Sequence, residues 1–198
     1  MRVKNKQEQG FTLLETVVVV GIMGILTAMA IVGSRVPMQN YRANSALDVV
    51  SSQLRTARQI SISQRRDVII TVDQVGNTIS YQVQPPPQVG TTELPGPVVT
   101  VPLPAQTFFM LEGGVPDTPM KFGNNAAVYI GNLSGGPAGM RFTPTGTFSD
   151  GTSNNPINGT IFVGMANQPT TARAVTIMGN TGRVRPYTYV GGTLNWIE

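Results

Sequence analysis

The chain contains no cysteine and no histidine in its 198 residues. Without cysteine no disulfide can staple the fold, and thiol usage says nothing about the redox compartment. Without histidine the usual proton-transfer group near neutral pH is missing. So are Ser-His-Asp and Cys-His catalysis and imidazole ligation of metals. Charge is also scarce: Asp, Glu, Lys and Arg make up 12% of the residues, and Lys121 is the single lysine beyond Lys6. The net charge is +4, and Arg2, Lys4 and Lys6 against Glu8 supply half of it. Net charge therefore implies no general nucleic-acid-binding surface. The composition argues against an enzyme, and no cofactor or metal is assigned.

Glycine and proline are plentiful instead, at 22 and 15 residues. That mixture points to a turn-rich β domain rather than a helical bundle. The length allows one domain with a real core plus an appendage.

The appendage is N-terminal. Residues 11–33 carry one charge, Glu15, and about 20 apolar residues suffice for a membrane-spanning helix. The basic flank of Arg2, Lys4 and Lys6 favours leaving that end in the cytoplasm, with the rest of the chain outside. A secretory signal peptide is the competing reading, with Ala28-Met29-Ala30 as its cleavage site. It explains neither Gly10-Phe11 nor Glu15. A carboxylate in an apolar run is costly without a partner, so Glu15 demands one.

The string Gly10-Phe11-Thr12-Leu13-Leu14-Glu15, after a short basic leader and before an apolar run, resembles the class III signal of type IV pilins and pseudopilins. The resemblance implies cleavage between Gly10 and Phe11 by a membrane prepilin peptidase. The same enzyme would methylate the new amine of Phe11. It also implies that Glu15 pairs with the N-terminal amine of a neighbouring subunit during assembly. A plainer role for Glu15 is to sit at the membrane interface, or to complement the positive end of its helix.

Beyond Arg35 the pattern becomes amphipathic. Ala43, Ala46, Leu47, Val50, Leu54 and Ala57 recur at three- and four-residue steps and define one helical face. Pro37 between the two halves is expected to kink or break the helix; in related filaments such a segment unwinds on assembly. Arg55, Arg58, Arg65 and Arg66 gather at the helix end, where cations complement the dipole.

The remainder reads as β structure. Asp67–Asp73 and Thr78–Val83 form a hairpin about the turn Gln74–Asn77. Residues 85–119 are proline-rich and cannot form central strands, so one edge strand near Val98–Val101 is expected there. Further strands are expected near Ala127–Ile130, Gly139–Phe142, Thr160–Val163, Ala172–Met178 and Arg183–Tyr189. The expected fold is α+β: a long N-terminal helix, membrane-spanning in one half and amphipathic in the other, packed on an antiparallel β-sheet domain. The divisions are a leader (1–10), a transmembrane and filament-core helix (11–36), an amphipathic helix (37–66) and a β-rich domain (67–198) holding the 85–119 insertion.

Three further pieces narrow the resemblance. Leu54-Arg55-Thr56-Ala57-Arg58-Gln59-Ile60-Ser61-Ile62, Phe142-Thr143-Pro144-Thr145-Gly146 and Gly182-Arg183-Val184-Arg185 are similar to the helix end, the F-x-P-x-G loop and the G-R-x-R element of GspH/FimT-like minor pilins and pseudopilins. Ser61 stands where that family often has alanine, and the proline-rich segment departs from a compact member. The resemblance implies a structural subunit of a type II secretion pseudopilus or a type IV pilus, set in the bacterial inner membrane with its C-terminal domain in the periplasm. Its partners would be other pilins or pseudopilins, prepilin peptidase and the inner-membrane assembly platform. The alternative is a pilus-associated DNA receptor for natural transformation. Arg183 and Arg185, two apart in a strand, face one side and can each grip a phosphate. Arg173 and Arg141 would extend that patch. The oxygen-rich Asp150–Asn155 stretch lacks the spacing of a calcium loop and reads as a polar turn. Gly113-Gly114 and Gly135-Gly136 lack the Lys-Ser/Thr of a phosphate-binding loop.

Overall fold

A computed structural model describes residues 12–33, 35–86, 93–130, 140–151, 155–191 and 195–198, the side chains of 30–37 excepted. The chain divides into two compact units, Met1–Met38 and Gln39–Glu198.

The first unit holds helix α1 (Leu13–Gly33). Its start is written in Thr12-Leu13-Leu14-Glu15, a T-x-x-E capping sequence. The Thr12 hydroxyl accepts the Glu15 N–H at 3.3 Å. Glu15 therefore lies in the first turn, where the helix dipole favours an anion. The hydroxyls of Thr16 and Thr27 donate back to the carbonyls of Leu13 and Met23, so both are satisfied within the helix. Side chains from Leu13 to Met29 are exposed on every side of the helix. Among the described residues no helix is long and apolar enough to cross a membrane; the described side chains of α1 stop at Met29.

Helix α2 spans Arg35–Gln64. Pro37 lies in this helix, and residue 34, between α1 and α2, is outside the described residues.

In the second unit the expected apolar face of α2 is the buried one: Ala43, Ala46, Leu47, Val50, Leu54 and Ala57 are all in the core. The helix closes at Arg65, which takes a left-handed φ of 52°. The Arg66 N–H then donates to the Ser61 carbonyl at 3.2 Å, satisfying one of the last free carbonyls.

Two antiparallel sheets follow. The first joins β1 (Val68–Asp73), β2 (Thr78–Val83), β3 (Val98–Pro102), β6 (Met140–Phe142) and β7 (Phe148–Ser149) in the order β3-β2-β1-β6-β7. The expected hairpin is β1–β2, in register from Val68↔Val83 to Asp73↔Thr78. The Asp73 carboxylate accepts the N–H groups of Val75 and Gly76 and holds the turn. The second sheet joins β4 (Phe108–Phe109), β8 (Gly159–Met165), β9 (Gln168–Met178), β10 (Arg183–Val190) and β11 (Asn195–Ile197) in the order β11-β10-β9-β8-β4, with β5 (Val128–Ile130) also on β8. The α+β class holds.

The main core lies between the α2 face and both sheets. Leu54, Val68, Ile70, Phe142, Phe148, Ile161, Val175 and Ile177 belong to it. Each large apolar side chain buried there contributes about 1.5–3 kcal/mol. A second cluster covers the opposite face of the second sheet: Phe162, Ala174, Tyr187, Tyr189 and Trp196, with Val115 and the half-buried Leu111 and Met120. The alternation along β8 shows why. Ile161 and Val163 face the first core, whereas Phe162 faces the second.

The proline-rich segment accordingly has a structural task. It supplies β3 to an edge of the first sheet and β4 to an edge of the second. Between β4 and β5 it lays Leu111 and Val115 over the outer face. Trp196 Nε1–H donates to the Pro116 carbonyl at 3.0 Å, fastening β11 to this cover. Proline is compatible with all of this because none of these positions is a central strand.

Candidate functional site

The three sequence pieces singled out above meet at one place. Arg58 is on α2, Gly146 on the turn between β6 and β7, and Gly182 on the turn between β9 and β10. Arg58 Nε–H donates to the Gly146 carbonyl at 3.2 Å, across 88 positions of sequence. Both glycines are left-handed, with φ of 80° and 60°, a conformation that other residues adopt at a cost. Space excludes a side chain as well. A Cβ on Gly146 would lie 2.7 Å from Ile62 Cδ1, and one on Gly182 would lie 2.8 Å from Arg58 Nε.

This junction borders a cleft of about 570 Å³. Its rim carries Arg55, Arg58, Gln59, Thr181 and Arg183, over Met178 and Val184. Among the described residues no carboxylate lines it. Arg55 and Arg183 are exposed, and among the described residues neither guanidinium has a hydrogen bond or ion pair. Arg58 is held at Nε, which leaves its two terminal nitrogens for the cleft. Three guanidinium groups gathered without a carboxylate among the described lining residues have the chemistry that suits an oxyanion.

Other described arginines, Arg65 excepted, are already engaged. Arg66 pairs with Glu93 at 2.7 Å, Arg141 with Asp67 at 3.0 Å and Arg185 with Glu198 at 3.3 Å. Arg183 and Arg185 share a face of β10, as residues two apart must, but only Arg183 reaches the cleft. Arg173 is 3% exposed and does not extend a surface patch. Its Nε–H donates to Asn44 Oδ1 at 2.8 Å, and its terminal nitrogens donate to the carbonyls of Thr170 and Ala172 and to Asn40. Burial pushes its guanidinium below the ordinary arginine value. Arginine nevertheless stays protonated, so a cation is held here by neutral acceptors. Arg141 is turned to Asp67 and Ser149 and does not extend the patch either.

Gly10 and Phe11 lie outside the described residues; Glu15 is exposed in the first turn of α1. Residues 152–154 of the polar turn are likewise outside them. Among the described residues no group of three or more acidic side chains is placed to hold a metal ion. Sequence reasoning assigned Arg55 and Arg58 to the helix dipole in preference to a binding role. The pointer to their role was the company of the three short pieces, each uninformative alone.

The family described as "Prokaryotic N-terminal methylation motif" matches residues 5–31. The chain therefore carries a type IV pilin-type prepilin signal, as its sequence led us to expect. No curated protein matches the chain. Among solved structures, the minor pseudopilin EpsH of the Vibrio cholerae type 2 secretion system is 10% identical, with a TM-score of 0.45 over 74% of this chain and 97% of that one. The Pseudomonas aeruginosa type IV minor pilin FimU is 17% identical, with a TM-score of 0.44 over 72% and 85%. A further EpsH structure is 14% identical, with a TM-score of 0.43 over 74% and 94%. A likeness at that level carries no argument about what this chain does.

Proposed function

We propose that the chain is a minor pseudopilin or minor type IV pilin, a structural subunit of an envelope-spanning filament and not an enzyme. Prepilin peptidase cuts it between Gly10 and Phe11 and methylates Phe11. α1 then holds it in the bacterial inner membrane with the C-terminal domain in the periplasm, until the assembly platform adds it to a filament of other pilins or pseudopilins.

The observation that carries this reading is the methylation motif at 5–31 running into α1, a helix apolar on all sides. A helix without a polar face needs lipid or other apolar helices around it. Its 21 residues span about 31 Å at ~1.5 Å per residue, close to the hydrocarbon thickness of a bilayer. The lone Glu15 then acquires a reason. A carboxylate in lipid costs about 3 kcal/mol, and an N-terminal amine on a neighbouring subunit offsets that.

The DNA-receptor reading is not favoured, because Arg185 is already engaged by Glu198. The test of the subunit reading is intact-mass analysis of the protein from cells with and without active prepilin peptidase. The expected mass is that of a chain beginning at methylated Phe11, seen only with the enzyme. An uncut chain, or one starting elsewhere, rejects the reading.

A further inference from the structure

We infer that the cleft between α2 and the β9–β10 turn is a carboxylate receptor that docks an acidic residue of a neighbouring protein subunit. Three features carry this. First, the cleft is cationic: Arg55, Arg58 and Arg183 line it, and among the described residues no acidic side chain does. An arginine fork matches a carboxylate in a bidentate manner, so these groups prefer a planar oxyanion to water.

Second, the cleft is built rather than incidental. Arg58 is fixed by its bond to Gly146, and the tight packing of Gly146 and Gly182 against its stem sets its direction. A flexible surface arginine has neither restraint. Met178 and Val184 add apolar lining, beside which a charge-assisted bond is stronger than in open water.

Third, the cationic surface is local. Arg66, Arg141 and Arg185 are matched by Glu93, Asp67 and Glu198, and Arg173 is buried. A nucleic-acid duplex presents a phosphate charge about every 1.7 Å and is held by a track of several cations. One short cleft, with Arg65 the one arginine outside it without a partner among the described residues, fits a single acidic side chain. The identification of the source as another subunit rests on the filament reading above.

The experiment uses the full chain in detergent micelles and a fluorescent tetraglutamate peptide, followed by anisotropy at low salt. Tetraglutamine and a short mixed-sequence DNA duplex serve as comparisons. We expect the acidic peptide to bind, tetraglutamine not to bind, and binding to fade as pH falls through about 4, where glutamate protonates. Arg55→Gln and Arg183→Gln should each weaken binding about tenfold, the loss of one charge-assisted bond. Arg65→Gln, outside the cleft, should leave it unchanged. Arg55 and Arg183 are exposed, so the variants should unfold at the same temperature as the parent. Absence of peptide binding, equal weakening by Arg65→Gln, or tighter binding of the duplex with the same arginine dependence overturns the proposal. Leader cleavage is measured separately, so the filament reading can stand when the receptor falls.

Discussion

Gly182 packs so closely on Gly146 that a side chain on the former would occupy the space of the latter's carbonyl oxygen. That oxygen is also the acceptor for Arg58. Two turns and a helix end are thus locked by the absence of one methyl group. Gly182→Ala combines a left-handed φ with a clash against backbone, and should destabilise the second unit by about 2–4 kcal/mol. Gly113→Ala, with nothing within 4 Å of its new Cβ, should change stability by no more than ~0.5 kcal/mol. Urea unfolding followed by the fluorescence of the single tryptophan, Trp196, measures both.

The end of α2 offers the opposite case. Arg65 holds φ at 52° with a side chain that is exposed and, among the described residues, without a partner. A left-handed residue other than glycine costs about 1 kcal/mol. Arg65→Gly should therefore stabilise the protein by roughly 0.5–1 kcal/mol, seen as a higher urea midpoint with the slope unchanged. A lower midpoint would mean that the arginine stem contributes packing.

Glu15 separates assembly from folding. It is exposed and lies in the first turn of α1. Glu15→Ala should leave the unfolding of the second unit unaltered while abolishing recovery of the protein in sheared filament fractions. Recovery at the parent level would remove the pairing role and leave Glu15 as a helix-end anion.

Trp196 tests the cover formed by the proline-rich segment. Trp196→Ala should cost about 3–5 kcal/mol, by analogy with other buried aromatic truncations. Trp196→Phe keeps most of the ring contacts with Phe162 and Tyr189 but loses the bond to Pro116. A smaller cost of about 1 kcal/mol is expected. Circular dichroism follows both variants. Equal costs would show that the hydrogen bond, not the ring, fastens the cover.

Where the sequence carries a period, the fold was legible. The buried stripe of α2 and strands β1, β2, β8, β9 and β10 follow from repeats of 3.6 and 2. β4, β7 and β11 are two or three residues long, too short to show any alternation, and exist because neighbouring strands offer them an edge. The proline-rich segment was recognised as unable to enter a sheet centre. Its covering role was not visible, because the partners of Leu111 and Val115 lie far along the chain. The cleft was legible only in pieces. Local pattern places Arg58 on a helix and Gly182 in a turn, but says nothing of their meeting.

The buried Arg173 has a mechanical consequence. It grips Asn40 and Asn44 at the beginning of the second unit and the backbone of β9 in the same sheet that Trp196 closes. Tension drawn along the chain from its N-terminal side meets this clamp before it meets the rest of α2. Two bonds from one guanidinium, to Asn40 and Asn44, thus tie the start of this part of the helix to β9. A tether attached at Gln39 therefore meets the Arg173 clamp before it meets the cleft, which lies further along the helix.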